Sequence, residues 1–105
     1  MNLSDMAFLE PWIAAGSDAA ALEAELKREV GSDHPLRSGR VQAVASRQDC
    51  DDVLFITLDA PRFVAVVHLT WGGRVEPRQF PRATIFPTFE EWIERGMNVD
   101  HLEFI

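Results

Sequence analysis

Two neighbouring apolar segments leave this chain little choice of architecture. Residues 53–58 read VLFITL, and residues 63–70 read FVAVVHLT. Both segments are rich in the β-branched and aromatic residues that favour strands, and clusters of turn residues bound them. Because successive side chains of a strand point to opposite faces, neither segment has a polar side to turn toward water. The sheet that they form therefore needs cover on both faces.

The neighbouring segments extend this pair into an antiparallel meander. Residues 41–47 alternate as a strand, and short turns separate all three strands, which predicts antiparallel neighbours. A further extended stretch, residues 74–87, contains three prolines, which lack the N–H that a ladder needs. We therefore expect this stretch at a sheet edge or outside the sheet, with residues 83–86 as the part most suited to pairing. The sheet is predicted to have three to four strands.

Helical patterns lie before and after the predicted sheet. An apolar residue recurs every four positions from Leu22 to Val30, which predicts a helix that begins near Ser17. Near the other end of the chain, residues 88–91 have the spacing of a capping box, and apolar residues follow it. We predict a second helix from this box to Gly96.

These elements predict one α+β domain, in which an N-terminal and a C-terminal helix pack on the sheet. The chain has 105 residues, 47% of them hydrophobic, and no low-complexity linker, so a single domain over residues 1–105 is expected. Residues 1–16 are predicted to form an apolar N-terminal arm, and residues 17–105 the α+β body. We expect one core that contains Leu22, Leu26, Val30, Leu54, Ile56, Val64, Val66, Trp92 and Ile93.

The second face of the sheet needs a cover that two helices do not obviously provide. The N-terminal arm, the proline-containing stretch and a second subunit are the three candidates. Because the chain is short, we predict a homodimer.

The charge balance restricts the possible partners. The chain has 10 Lys and Arg residues against 17 Asp and Glu residues, a net charge of -7. This balance argues against nucleic acid or an anionic membrane as the main partner. The acidity is uneven, since residues 34–89 carry a net charge of +2 and residues 90–105 a net charge of -4. Solvent-exposed helix faces account for the acidic segments.

Cysteine content and apolar run length indicate a cytoplasmic protein. The single cysteine, Cys50, cannot form an internal disulfide, and the N-terminus has no recognisable secretory signal. The apolar runs are far shorter than the roughly 20 residues that a membrane helix needs. We expect a cytoplasmic location and no membrane partner.

The histidines give no sign of a metal site. No two of His34, His68 and His101 have the close spacing of a helical zinc pair, and Cys50 has no CxxC partner. Asp49 and its acidic neighbours should also disfavour the Cys50 thiolate. We expect neither a metal nor a cofactor.

His68 is the candidate for a catalytic base. It is the only ionisable residue within the segment 63–70, and Asp52 lies where an adjacent strand begins. A histidine and an aspartate on adjacent strands can be neighbours, which would let Asp52 orient the imidazole in a small hydrolase. A structural, hydrogen-bonded histidine in the core or at an interface is the alternative interpretation.

Three arginines suggest a different kind of site. Arg74, Arg78 and Arg82 recur every four residues, and Trp71 lies just before them. Such a segment could bind an anion or an acidic peptide. Arginines of this kind also protect an edge strand from aggregation and pair with acidic helices, so both interpretations stay open.

Four blocks of the sequence resemble a known group of proteins. The blocks are SDHPL at 32–36, DDVLF at 51–55, VVHLTW at 66–71 and FEEWIE at 89–94. They are similar to those of a family of small, uncharacterised bacterial proteins. The resemblance implies a stand-alone cytoplasmic α+β domain without an assigned activity. It also makes His34, Asp52, His68 and Trp71 the block positions that a site would use.

Three functions are therefore open. The first is a non-enzymatic interaction or binding domain that acts as a homodimer. The second is a small hydrolase that uses His68 and Asp52. The third is a module that binds a small molecule or anion through His34, Trp71 and the three arginines. The acidic balance and the sheet that needs cover favour the first.

Overall fold

The computed structural model describes residues 7–32, 34–37, 39–72, 74–75 and 81–105. In this part of the chain the strands and helices, in order, are β1 (Trp12–Ala14), α1 (Ala19–Glu29), β2 (Val41–Arg47), β3 (Asp52–Thr57), β4 (Val64–His68), β5 (Arg82–Phe86), α2 (Phe89–Trp92) and α3 (Asn98–Phe104). A short 3-10 turn, Gly16–Asp18, precedes α1. A π-helical turn, Ile93–Met97, joins α2 to α3, and we call residues 89–104 the C-terminal helical segment.

The described strands form one antiparallel sheet in the order β1-β2-β3-β4-β5. This confirms the α+β class and the meander, but the predicted count of three to four strands was too low. The additional strand is β1, which lies in the predicted arm and pairs Trp12 with Arg47. Three residues directly after Pro11 are too few to show a period of two, so the sequence pattern did not reveal it. Residues 82–86 of the proline-containing stretch lie at a sheet edge, as β5.

The sheet separates two cores, where one had been predicted. Helix α1 packs on one face over a cluster of buried residues: Ala15, Leu22, Leu26, Val30, Leu36, Ala43, Val53, Phe55, Ala65, Val67 and Leu69. The C-terminal helical segment packs on the other face, and its cluster contains Trp12, Ala45, Leu54, Val64, Trp92 and Met97. Odd and even positions of β3 and β4 belong to different clusters, as the two-sided apolar pattern requires.

The second face of the sheet is covered from within the chain. Trp92 is fully buried there, and its ring makes edge-on contacts with Trp12 at 5.2 Å and with Phe8 at 6.2 Å between centroids. The cover therefore comes from the C-terminal helical segment together with Phe8 and Trp12 of the N-terminal arm. A second subunit is not needed for this face, so a dimer in which a second copy covers it loses its rationale.

The C-terminal helix continues past Gly96, where the sequence pattern had ended it. Gly96 is buried against the Trp92 ring inside the π-helical turn, and helical backbone runs on to Phe104. The extra turns hold β1 in place, because Asp100 Oδ2 accepts a hydrogen bond from Trp12 Nε1 at 2.9 Å. None of the described helices is long and apolar enough to cross a membrane.

Candidate functional site

Asp52 and His68 form a hydrogen-bonded pair across two adjacent strands. They are direct partners in the β3–β4 register, and Asp52 Oδ1 lies 2.8 Å from His68 Nδ1. The His68 side chain is 55% exposed. Because Asp52 engages Nδ1, the other ring nitrogen is the one that can take a proton from another molecule. The neighbour relation expected from the sequence is therefore present, and His68 is not a buried core residue.

The pair belongs to a polar row at one end of the sheet. Arg82 of β5 is the direct partner of His68 on its other side. On β2, Arg47 lies one residue beyond the pairing of Ser46 with Val53, and so it is the next position in the row. The row lies on the sheet face that carries the C-terminal helical segment.

Arg47 joins this row to the C-terminal helical segment. Its guanidinium donates two hydrogen bonds to Asp49, at 2.8 and 2.7 Å, and its second terminal nitrogen lies 3.5 Å from Asp100 Oδ1. The hydrogen bonds from Arg47 hold the pKa of Asp49 below its usual range, and Asp49 in turn raises the pKa of Arg47. The positive charge of Arg47 is therefore already matched by the carboxylates of Asp49 and Asp100.

His34 is a structural residue. It is buried, its Nε2 donates a hydrogen bond to the Pro81 carbonyl at 2.8 Å, and its Nδ1 accepts one from the Leu36 amide at 3.1 Å. Both ring nitrogens are thus occupied by backbone partners, so the imidazole ties the loop after α1 to the start of β5. The structure does not support the use of His34 as a ligand-binding group.

Trp71 is held through its backbone by a residue that the sequence analysis did not single out. Glu29 of α1 accepts hydrogen bonds from the amides of Thr70 and Trp71, both at 2.9 Å. Trp71 has a φ of 58°, in the left-handed region that non-glycine residues seldom adopt. The Trp71 side chain is 48% exposed. Glu29 therefore stabilises an unusual backbone conformation that presents a tryptophan to solvent.

Glu25 and Glu29 are both buried on α1. Burial raises the pKa of Glu29, a hydrogen bond with the Glu25 side chain raises it further, and the amides of Thr70 and Trp71 act in the opposite direction. A signal for this pair was present in the sequence. Leu22, Glu25, Leu26 and Glu29 occupy the i, i+3, i+4 and i+7 positions of a single buried stripe, where charged residues are unexpected.

The arginine segment does not form one site in the described structure. Arg74 is exposed on the loop after β4, and Arg82 begins β5, where it adjoins His68. Arg78 lies outside the described residues. Of this group, only Arg82 is placed beside another candidate residue, so the geometry gives an anion-binding function no further support.

Cys50 is a free thiol in the turn between β2 and β3. Partial burial raises its pKa most, a hydrogen bond with the Asp52 backbone lowers it by less, and the Asp52 charge raises it by less still. This confirms the expected direction for the thiolate, although burial is the largest cause. Cys50 is not an activated nucleophile.

Three clefts of the described structure lie away from the candidate residues. One, of about 340 Å³, surrounds the Arg40–Asp59 ion pair at the opposite end of the sheet. A second cleft, of about 240 Å³, is lined by residues of α1 and the loop after it. A third, of about 250 Å³, lies around Pro87 and Phe89. None of the three is lined by Asp52, His68 or Trp71. Nor do the described side chains bring together three His, Cys, Asp or Glu residues in a way that could hold a metal ion.

Comparison with known proteins adds no assignment. The chain matches no protein-family model, no curated protein and no solved structure. Its resemblance to a bacterial family therefore stays a prediction, and the function is argued from the geometry.

Proposed function

We propose that this chain is a non-enzymatic, cytoplasmic interaction domain that acts as a homodimer and docks through strand β5. The observation that carries this proposal is the open edge of the sheet. β5 pairs with β4 on one side, and no described strand pairs with its other side. Every second residue of such an edge directs its N–H and C=O groups outward, where they can bind another strand.

The side chains of β5 support docking at this edge. Ile85 is 43% exposed, and Thr84 beside it is exposed on the other sheet face. Only one of the five residues, Arg82, is charged. Charged side chains and bulges along an edge strand oppose association, and β5 has a single charge and no bulge in its pairing with β4.

The cytoplasmic location rests on the single free thiol. Cys50 is exposed, and it has no second cysteine to pair with in this chain. An exposed free thiol suits a reducing compartment.

Sedimentation of the purified chain tests the proposal. We expect a concentration-dependent dimer that Ile85→Lys disrupts, because a lysine on the edge strand opposes pairing. Leu102→Lys on α3 is the matched control, since Leu102 is 70% exposed and lies away from β5. A chain that stays monomeric at high concentration contradicts the homodimer. A dimer that is lost in Leu102→Lys and kept in Ile85→Lys contradicts the use of β5.

A hydrolase is the second candidate, and the Asp52–His68 hydrogen bond favours it. A carboxylate on Nδ1 fixes the tautomer and orientation of an exposed imidazole, as general-base catalysis requires. Hydrolysis of p-nitrophenyl acetate offers a direct assay. A dyad requires that His68→Gln and Asp52→Asn each remove the activity, and that the double variant lose no more than either single variant. Equal rates in the wild type and both variants would eliminate the dyad.

A further inference from the structure

We infer that β5 pairs with β5 of a second copy, antiparallel, about a two-fold axis at Thr84. This inference rests on the proposed function, and it specifies the partner, the register and the charge contacts of the interface. An isologous pairing of one strand with itself is the simplest way for a sheet edge to form a closed dimer. It would join two five-stranded sheets into one continuous sheet.

Two prolines define the register. Pro81 precedes β5 and Pro87 follows it, and neither can donate a ladder hydrogen bond. The pairing window is therefore limited to the five residues between them. Thr84 is the midpoint of this window, so an antiparallel copy that uses the whole window must place Thr84 opposite the partner's Thr84.

The side chains are compatible with that register. Ala83 would face the partner's Ile85 on the sheet face that carries α1, and Arg82 would face the partner's Phe86 on the other face. The first contact is apolar and covers the exposed part of Ile85. In the second, the like charges of the two Arg82 residues lie at opposite ends of the pair. No two residues of like charge lie directly opposite each other in the paired strands.

Charge complementarity favours a second copy over an unrelated strand. β5 begins with a basic residue, the exposed Arg82. The chain that leaves β5 is acidic in the first turn of α2, where Glu90 is exposed and Glu91 lies 3.6 Å from Arg95. Antiparallel pairing brings the entering end of one copy beside the leaving end of the other. The two-fold axis produces this basic-to-acidic contact twice.

The other edge of the sheet fits this role less well. β1 has only three residues, whereas β5 has five. A pair of three-residue strands would form few hydrogen bonds, and it has no charge asymmetry at its ends comparable to that around β5.

A disulfide at the axis tests the register. In Cys50→Ser/Thr84→Cys, the two introduced thiols would face each other across an antiparallel pair. The Cα atoms of such partners are about 4.5–5.5 Å apart, within the range that a disulfide spans. Mild oxidation of the folded protein should therefore yield mainly covalent dimer on a non-reducing gel. Cys50→Ser/Leu102→Cys is the control, because position 102 is 70% exposed and lies on α3, and this variant should stay mainly monomeric on the gel.

A charge reversal provides a second, independent measurement. Glu90→Arg should weaken the dimer about threefold to tenfold, because two symmetric contacts at the rim become repulsive. Glu103→Arg makes the same change of charge on α3 and should leave the dissociation constant unchanged. Circular dichroism confirms that each variant is folded.

The outcomes separate this inference from the proposed function. A dimer in sedimentation that forms no Thr84→Cys disulfide, or that responds equally to both charge reversals, overturns the β5 register and leaves the homodimer intact. A persistent monomer overturns both. Efficient cross-linking at position 84 alone, together with selective weakening by Glu90→Arg, supports both.

Discussion

Gly96 lies so close to the indole ring of Trp92 that a methyl group at position 96 would come within 2.6 Å of Cδ1 and 2.9 Å of Nε1. The ring cannot move away easily, because Trp92 is fully buried between the sheet and the N-terminal arm. Its Nε1 atom has no hydrogen-bond partner among the described residues. The π-helical turn therefore depends on the absence of a side chain at position 96.

Overpacking a core usually costs about 1–3 kcal/mol, and alanine normally brings a gain of about 1 kcal/mol to a helix in place of glycine. Gly96→Ala should therefore destabilise the protein by up to about 2 kcal/mol, because the buried ring puts the cost at the upper end of its range. Urea unfolding followed by circular dichroism measures the difference. Glu94→Ala, at an exposed position of the same turn, is the control and should be close to neutral. A Gly96→Ala variant as stable as the wild type would show that the ring yields.

Leu26→Ala should cost about 2–5 kcal/mol, because it opens a cavity between α1 and the sheet. Leu26 is buried in the α1-side core. Lys27→Ala, at the next and exposed position, should change the unfolding free energy little. A loss below about 1 kcal/mol for Leu26→Ala would mean that α1 does not pack as described.

His34→Phe should destabilise the fold by about 1–3 kcal/mol for each buried backbone group that loses its partner. The groups are the Pro81 carbonyl and the Leu36 amide. Because Pro81 directly precedes β5, the variant should also increase amide exchange at the start of that strand. Unchanged stability and exchange would contradict the structural role of His34.

Glu29 should make stability depend on pH in a predictable direction. Burial, reinforced by the hydrogen bond with Glu25, raises the pKa of Glu29 above its ordinary value of 4.5. The folded state then binds the proton more tightly than the unfolded state does. The contribution of this group to stability is therefore full below the unfolded pKa and is lost as the pH rises through the folded pKa.

Comparison with Glu29→Gln isolates this effect. The unfolding free energy of the wild type, relative to that of the variant, should increase as the pH is lowered from neutral toward 4.5. Chemical denaturation at a series of pH values measures this difference, and the other titrating groups cancel in the comparison. A difference that does not change with pH would contradict the raised pKa.

Local patterns were sufficient for most of the sheet but not for β1. The predicted strands at 41–47 and 53–58 match β2 and β3 within one residue. Strand β1 could not be found in this way, because it is stabilised by distant partners. Trp12 depends on Asp100, which lies 88 residues further along the chain.

The end of the last helix was predicted incorrectly for a similar reason. Glycine usually ends a helix because it adopts left-handed backbone conformations without strain. Gly96 instead lies within a helical turn, where the close approach of the Trp92 ring requires it. Only the packed structure distinguishes these two uses of glycine.

The candidate site was predictable where the strand register determines it. The pairing of Asp52 with His68 follows from an antiparallel hairpin between two adjacent strands. The role of His34 depends on a contact with Pro81, 47 residues away, which no local sequence pattern indicates. Long-range contacts of this kind separate a ligand-binding histidine from a structural one.

Hydrogen exchange of the β5 amides, followed at increasing protein concentration, tests the docking of this edge most directly. The β5 amides that point away from β4 have no strand partner in the described structure, so they should exchange rapidly in dilute solution. We predict that they become protected as the protein is concentrated, and that Ile85→Lys abolishes this protection. Rapid exchange of the same amides at every concentration, in a sample that sedimentation shows to be dimeric, would contradict the account.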